Sequence, residues 1–450
     1  MTSTWSIDRD REILERDGAP WFLLGDTAWE LFRRLDLDQV EHYLSVRAGQ
    51  GFNTVLAVAV SEFDARTVPN ANGDLPFTDD DPGLPNEPFW RHVDAVVTRA
   101  NGLGLTIGML PTWGTHWHDR RDGQAPFFDA GSAHAFGAWI AGRYQHDDII
   151  WVLGGDRPIE SPSQRETVDA MAAGIRSVVG DRQLLTFHPP GRSSSSDFLA
   201  DTGWIDFDMI QSGHAGLTMP NYEFVEHDLA RDLARPTLDA EPNYEDHPVM
   251  SPTWKPTLDW RFDDRDVRRS AYHAVFAGAC GHVYGAHPVW QMYQPGLTEP
   301  INSPARSWMQ ALTLPGAEQI RHLAAFTSAL SIECWAPNQG LLHHAIGVLD
   351  AHQRAMVCRR EPGVLAYLPK GRAAELDLRR WPAGSWRPRW FDPRTGSWQD
   401  GAPINGGRVR VEHPFPGEDA VLLLEPESST HTAEPHDHTA ESADRTAGSR

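Results

Sequence analysis

The sequence predicts an α/β fold: a (β/α)8 TIM barrel over residues 1–335, followed by a small antiparallel β-sandwich over residues 336–425. Three observations predict it. Eight short apolar runs recur through the first two thirds of the chain. Amphipathic segments of helical period separate them, and parallel strands need such crossovers between neighbours. Beyond residue 335 the pattern changes to short alternating runs joined by tight turns, as in antiparallel sheet.

The eight runs, in order, are WFLLGDTAW, FNTVLAVAV, LTIGMLPTWG, DDIIWVLGGD, LLTFHPPG, FDMIQSGH, PTLDAEPNYE and GHVYGAHPVW. Between them, LDQVEHYLSVRAGQ places Val40, Tyr43 and Leu44 near one helical face and stops at Gly49 and Gly51. EPFWRHVDAVVTRANGLG places Phe89, Val93, Val96 and Val97 at helical spacing, and HAFGAWIAGRY and TVDAMAAGIRSVVG behave likewise. Eight such units fit a closed barrel. The rival, an open doubly wound sheet, calls for G-x-G-x-x-G after the first strand, and LLGDTAWEL does not supply it. The sandwich is read from GVLAYLPKG, AAELDLRRW, WRPRWFDPRTGSWQ, GRVRVEHPF and AVLLLE. Residues 426–450 lose their hydrophobes and read as a disordered polar tail.

A formal net charge of -22 and a pI of about 5.3 argue against a nucleic-acid binder, which needs cations to neutralise phosphates. No stretch approaches the ~20 apolar residues of a membrane span. MTSTWSIDRDREILERDG has no apolar core of the secretory kind, so the expected location is cytoplasmic. Cys280, Cys334 and Cys358 are odd in number and widely spaced, which is neither a disulfide framework nor a metal knuckle. Tryptophan is abundant, 18 against 8 tyrosines, and its flat apolar face with one N–H suits sugar rings. Nothing here speaks to oligomeric state.

Barrel chemistry sits where strands finish. The polar and aromatic residues there are Asp26 and Trp29 after the first run, and Ser61 and Glu62 after the second. The third offers Trp113, His116, Trp117 and His118; the fourth, Asp156; the fifth, His188; the sixth, Gln211 and His214. The seventh offers Glu241 and Tyr244, and the eighth Tyr284, His287 and Trp290.

Asp156 follows Gly154 and Gly155, which remove bulk and let the backbone turn sharply. It could equally cap the helix that follows. Glu241, three strands later, lies across the barrel mouth from it. Two facing carboxylates are what glycoside cleavage needs, one acid for the leaving oxygen and one carboxylate at the anomeric carbon. Asp239 and Glu245 are alternative salt-bridge partners nearby; Glu241 is preferred as the last residue before the turn at Pro242. Asp26, His188, Gln211 and His214 are expected to bond sugar hydroxyls, with Trp29, Trp113, His116, Trp117, Tyr244, Tyr284 and Trp290 shaping the pocket. Asp206 and Asp208 flank the sixth run as structural residues. This chemistry requires no cofactor and no metal.

Two other classes remain open. His116 and His118, with His188 and His214, partly match metal-dependent barrel hydrolases, but the first run lacks the histidine pair and the eighth lacks the aspartate. A non-catalytic carbohydrate-binding protein on the same barrel is the other.

WFLLGDTAWELF, GFNTVLA, PTWG, WVLGGD, EPNYE and WFDPRTG, in that order, resemble the apiosidase-like glycoside hydrolases, family 140 and its relatives. The resemblance covers nearly all of residues 5–425. It implies a (β/α)8 catalytic domain with a small β-sandwich that often carries a collagen-binding label, although WFDPRTGSW contains nothing that selects collagen. It implies a retaining mechanism with Asp156 as acid/base and Glu241 as nucleophile; the expectation for this chain is exo-action on a terminal sugar. Known members release apiose, a pentofuranose, from a branched pectic side chain. Without an export signal, the expectation for this chain shifts to a short imported glycoside.

Overall fold

Leu23 and Leu24 are neighbours in one strand but belong to different cores, and the barrel follows from that alternation. The computed structural model describes residues 3–119, 125–231, 233–251, 253–346, 353–370 and 373–427. The eight barrel strands are β1 (Leu23–Thr27), β2 (Thr54–Val58), β3 (Thr106–Leu110), β4 (Ile149–Gly154), β5 (Leu185–His188), β6 (Asp208–Gln211), β7 (Thr237–Asp239) and β8 (Gly281–Tyr284). Parallel ladders run β5-β4-β3-β2-β1-β8-β7-β6. One register of each strand faces the barrel interior: Leu23, Leu56, Ile150, Val152, Met209 and Leu238 fill it. The other register faces the helices: Leu24, Val55, Ile107, Trp151 and Leu185 pack there.

Closure is incomplete between β5 and β6. That seam is held by Asp206 N–H to Leu185 O at 2.9 Å and Thr186 Oγ1 to Phe207 O at 2.6 Å. The short strand Ser193–Ser194 occupies the free edge of β6 in antiparallel sense. A meander of Trp5–Asp8, Ile13–Arg16 and Ala19–Trp21, which the strand pattern does not predict, sends Trp5 and Leu14 into the interior core from the N-terminal end.

The expected helices form at Leu37–Gly49, Glu87–Gly102, Ala130–Tyr144 and Pro162–Val179. Capping boxes at Asp36 with Gln39 and at Asp129 with Ser132 satisfy N-terminal amides of the first and third. The helix Glu87–Gly102 buries Phe89, Trp90, Val93, Val96 and Val97 on one face, each such side chain contributing about 1.5–3 kcal/mol against exposure.

The C-terminal region pairs a seven-stranded antiparallel sheet with a three-stranded one. Alternation again divides the residues. Val364, Ala366, Leu422 and Leu424 face the small sheet, whereas Leu365, Tyr367, Val421 and Leu423 join the core of the barrel helices. Tyr272 stacks on Tyr367 at 5.0 Å, and the buried Arg268 meets Asp419 at 2.7 Å. The polar tail lies outside the described residues beyond Glu427.

Candidate active site

β4 delivers Asp156 through three consecutive left-handed residues: φ is 93° at Gly154, 101° at Gly155 and 59° at Asp156. Glycine reaches this region freely, and aspartate tolerates it better than most residues. Space enforces the same choice. A Cβ on Gly154 would lie 2.3 Å from His188 O, and one on Gly155 would lie 2.7 Å from Gly114 N and 2.9 Å from the Trp113 ring. Neighbours hold the turn by its carbonyls: Trp117 Nε1 donates to Gly154 O at 2.9 Å and Gly114 N to Gly155 O at 3.1 Å. Asp156 thereby reaches a cavity of about 270 Å³ at the C-terminal end of the barrel, with 37 % of its side chain exposed.

Glu241, two residues past β7, lines the same cavity. Its Oε2 lies 3.1 Å from His188 Nε2 and its Oε1 lies 3.2 Å from His214 Nε2. Burial alone raises a carboxyl, but the hydrogen bonds from these two imidazoles outweigh it and hold Glu241 down to about 2. Asp156 shifts the other way. Burial raises it first and the Glu241 charge second, against smaller lowering by His188, Arg157 and a hydrogen bond with Gln211. Two carboxyls of one pocket are thus driven apart, Glu241 downward and Asp156 upward, which is the direction of division that acid/base chemistry uses.

Of the residues expected to contact substrate, Trp29, Trp113, Gln211, His214, Tyr244 and Trp290 line the cavity with the two carboxyls. Trp29 and Trp113 meet edge to face at 5.3 Å. His188 is fully buried behind them and reaches Glu241 rather than the cavity. Tyr244 is buried and within hydrogen-bonding reach of Glu241, and burial together with that charge pushes its phenol well up.

Besides His188, which was expected to bond a sugar hydroxyl, four expectations need correction. Asp26 is fully buried and faces the helices in the same register as Leu24, where it accepts from Tyr43 at 2.6 Å and Arg47 at 2.7 Å. Tyr284 also points to the helix side and donates to Glu245 at 2.6 Å. His116 pairs with Thr112 at 2.8 Å, outside the cavity wall. Trp117 braces the Gly154 turn from behind. The alternative carboxylates are engaged elsewhere, Asp239 by Ser212 and Asn221 and Glu245 by Tyr284 and Gly316, while Asp206 and Asp208, expected as structural residues, pair with Arg176 and Arg235.

Strand-end reasoning did not put Glu30, Phe63, His247, Trp254, Ile301 or Asn302 in the cavity, nor single out Glu62 from its neighbours, yet all line it. His247 and Trp254 belong to a hairpin of Pro248–Met250 and Pro256–Arg261; the alternating run around three prolines, HPVMSPTWKPTLDW, is its only trace in the sequence. The His247 ring stacks on His214 at 4.2 Å, and its Nδ1 donates to Pro248 O at 2.6 Å, leaving Nε2 as an acceptor in the cavity wall. Burial, then the neighbouring His214 and His287, drive its pKa well down, so the ring is neutral. Glu62 sits opposite Arg157 at 3.6 Å, and burial followed by the Asp156 charge pushes it up to about 7. Among the described residues no group of three His, Cys, Asp or Glu side chains is arranged to hold a metal ion.

Residues 8–333 match the family model "Apiosidase-like, catalytic domain", and residues 336–425 match "Putative collagen-binding domain of a collagenase". No curated protein matches the chain. A solved structure titled "Glycoside hydrolase" is 27 % identical, with TM-score 0.83 over 94 % of this chain and 97 % of that one. A glycoside hydrolase family 5 structure from Bacteroides vulgatus is 28 % identical, with TM-score 0.84 over 95 % and 93 %. A family 5 mannosidase from Rhizomucor miehei, 14 % identical with TM-score 0.52 over 73 % of this chain and 98 % of that one, shares the fold alone. With a catalytic-domain model matched across nearly three quarters of its length, the chain belongs to the apiosidase-like family and is a glycoside hydrolase.

Proposed function

We propose that the protein is a retaining, exo-acting glycosidase that removes one terminal sugar. Asp156 donates a proton to the glycosidic oxygen while Glu241 attacks the anomeric carbon; the C–O bond to the leaving group breaks as the glycosyl ester forms. Asp156, now ionised, takes a proton from water, and the resulting attack on the anomeric carbon frees Glu241. The observation that carries this reading is that Asp156 and Glu241, delivered from the ends of β4 and β7, line one cavity, with Glu241 held against two imidazoles. His188 and His214 bond both oxygens of Glu241 and so fix its orientation as well as its charge. Trp29, Trp113 and Trp290 supply apolar faces for a sugar ring, and Gln211 and His247 offer polar groups to its hydroxyls. The cavity lies at the small end of ligand sites, which run from about 300 Å³ upward, and this favours a single ring and exo-action. A pentofuranose such as apiose is the family-based candidate for that ring.

The decisive experiment follows the anomer first released, by proton NMR, from the best substrate in an aryl-glycoside screen that includes pentofuranosides. Retention is expected; inversion removes Glu241 as nucleophile. Glu241→Gln is expected to be nearly inactive. Asp156→Asn should lower kcat at least ~10²-fold on substrates with poor leaving groups. Sugar binding with no turnover by the unaltered chain would instead favour the non-catalytic reading.

A further inference from the structure

A second cavity, of about 590 Å³, adjoins the first and shares three wall residues with it: Glu62, Phe63 and Ile301. We propose that this outer cavity is the leaving-group subsite, where the rest of an uncharged saccharide lies while its terminal sugar occupies the inner cavity. The inference rests on the glycosidase reading above and adds the direction in which substrate runs.

Direction follows from the proton donor. The leaving oxygen must meet Asp156, and Asp156 is tied towards the outer cavity through Arg157, which lies 3.3 Å from Asp156 Oδ2 and 3.6 Å from Glu62 Oε2. Glu62 is therefore the wall between the donor and the second space. Because its carboxyl is pushed up to about 7, it is largely protonated in mildly acidic solution and able to donate to a sugar oxygen at that junction.

The outer cavity also holds a donor with nothing to bond. Asn70 is 6 % exposed and lines it. Its Oδ1 accepts from the Asn72 and Asp74 amides, both at 3.0 Å, while its Nδ2 is buried without a partner. A buried amide N–H left unmade is costly, and a ligand oxygen would satisfy it. Val68 and Leu297 add exposed apolar faces for the C–H side of a ring. Charge selects the class of occupant. The wall's two arginines, Arg33 and Arg34, share the buried Glu30 at 2.7 and 3.6 Å, and with Asp64 and Glu299 the carboxylates outnumber the guanidiniums even when Glu62 is protonated. That pattern favours an uncharged sugar over an anionic one.

The test compares two substrates carrying the same terminal sugar, a glycosyl fluoride, whose leaving group is too small to fill the outer cavity, and a neutral trisaccharide, each found by screening the unaltered enzyme. Asn70→Asp keeps the acceptor that holds the loop and deletes the donor; Val68→Trp fills the cavity from its exposed rim. Each should lower kcat/KM on the trisaccharide about fivefold or more through KM and leave the glycosyl fluoride within twofold. Equal losses on both substrates, or no loss on the trisaccharide, overturn the subsite. An unaltered enzyme that cleaves neither removes the underlying reading of the inner cavity, a result distinct from either of those.

Discussion

At the scale of single residues, the site depends on a backbone path that few side chains permit. Gly155 has φ of 101° and no room for a Cβ between Gly114 N and Trp113. Gly155→Ala should displace Asp156 and lower kcat tenfold or more, because small misplacements of a catalytic group are expensive; initial rates on an aryl glycoside measure it. Arg157 stabilises the ionised form of Asp156 and so opposes the upward shift imposed by burial and Glu241. Removing that cation raises the Asp156 pKa further. In Arg157→Met the alkaline limb of kcat/KM, where Asp156 loses its proton, should therefore move to higher pH. The acid limb belongs to Glu241, which ionises near 2, and should remain in place. A pH profile of both proteins checks the sign.

At the scale of elements, strand ends were readable and strand faces were not. The GGD and EPNYE turns marked where β4 and β7 finish, and both carboxyls meet at one cavity. Asp26 and Tyr284 also stand at strand ends, but β-strands alternate, and one step of register sends a side chain to the helix layer. A string of letters carries that register only where a whole strand alternates, and buried parallel strands such as TVLAV and IIWVLG are apolar on both faces. His247 and Trp254 escaped notice for a different reason: they arrive on a hairpin well beyond β7, and no local pattern reports where a hairpin folds back. The structural role of Asp26 can be checked directly. Asp26→Asn leaves Arg47 buried beside a neutral group and should cost about 3–5 kcal/mol of stability. Thermal melts should show that loss while kcat of the folded protein stays within a few-fold.

At the scale of the whole molecule, barrel and sandwich share a core. Tyr272, Phe276 and Phe326 from the barrel helices pack with Tyr367, Phe391 and Leu423 from the large sheet, and Arg268 and Asp419 are buried together at the junction. Calorimetry should give one unfolding transition, and Arg268→Met should lower it by about 3–5 kcal/mol by stranding Asp419. Two separated transitions in the unaltered chain would contradict a common core. The change of pattern at residue 335 was plain in the sequence. That the large sheet would be covered on both faces was visible only in retrospect, in runs such as VLAYL and VLLLE that lack a polar side.

The gap between β5 and β6 bears on stereochemistry. The donor stands on β4 and the nucleophile beyond β7, so the shorter way round the ring from one to the other crosses the one interval where the ladder fails. The His188–Glu241 bond spans that interval like a clasp. Breathing there would alter how far apart the two acids stand, and that spacing decides whether a sugar's configuration is kept or reversed.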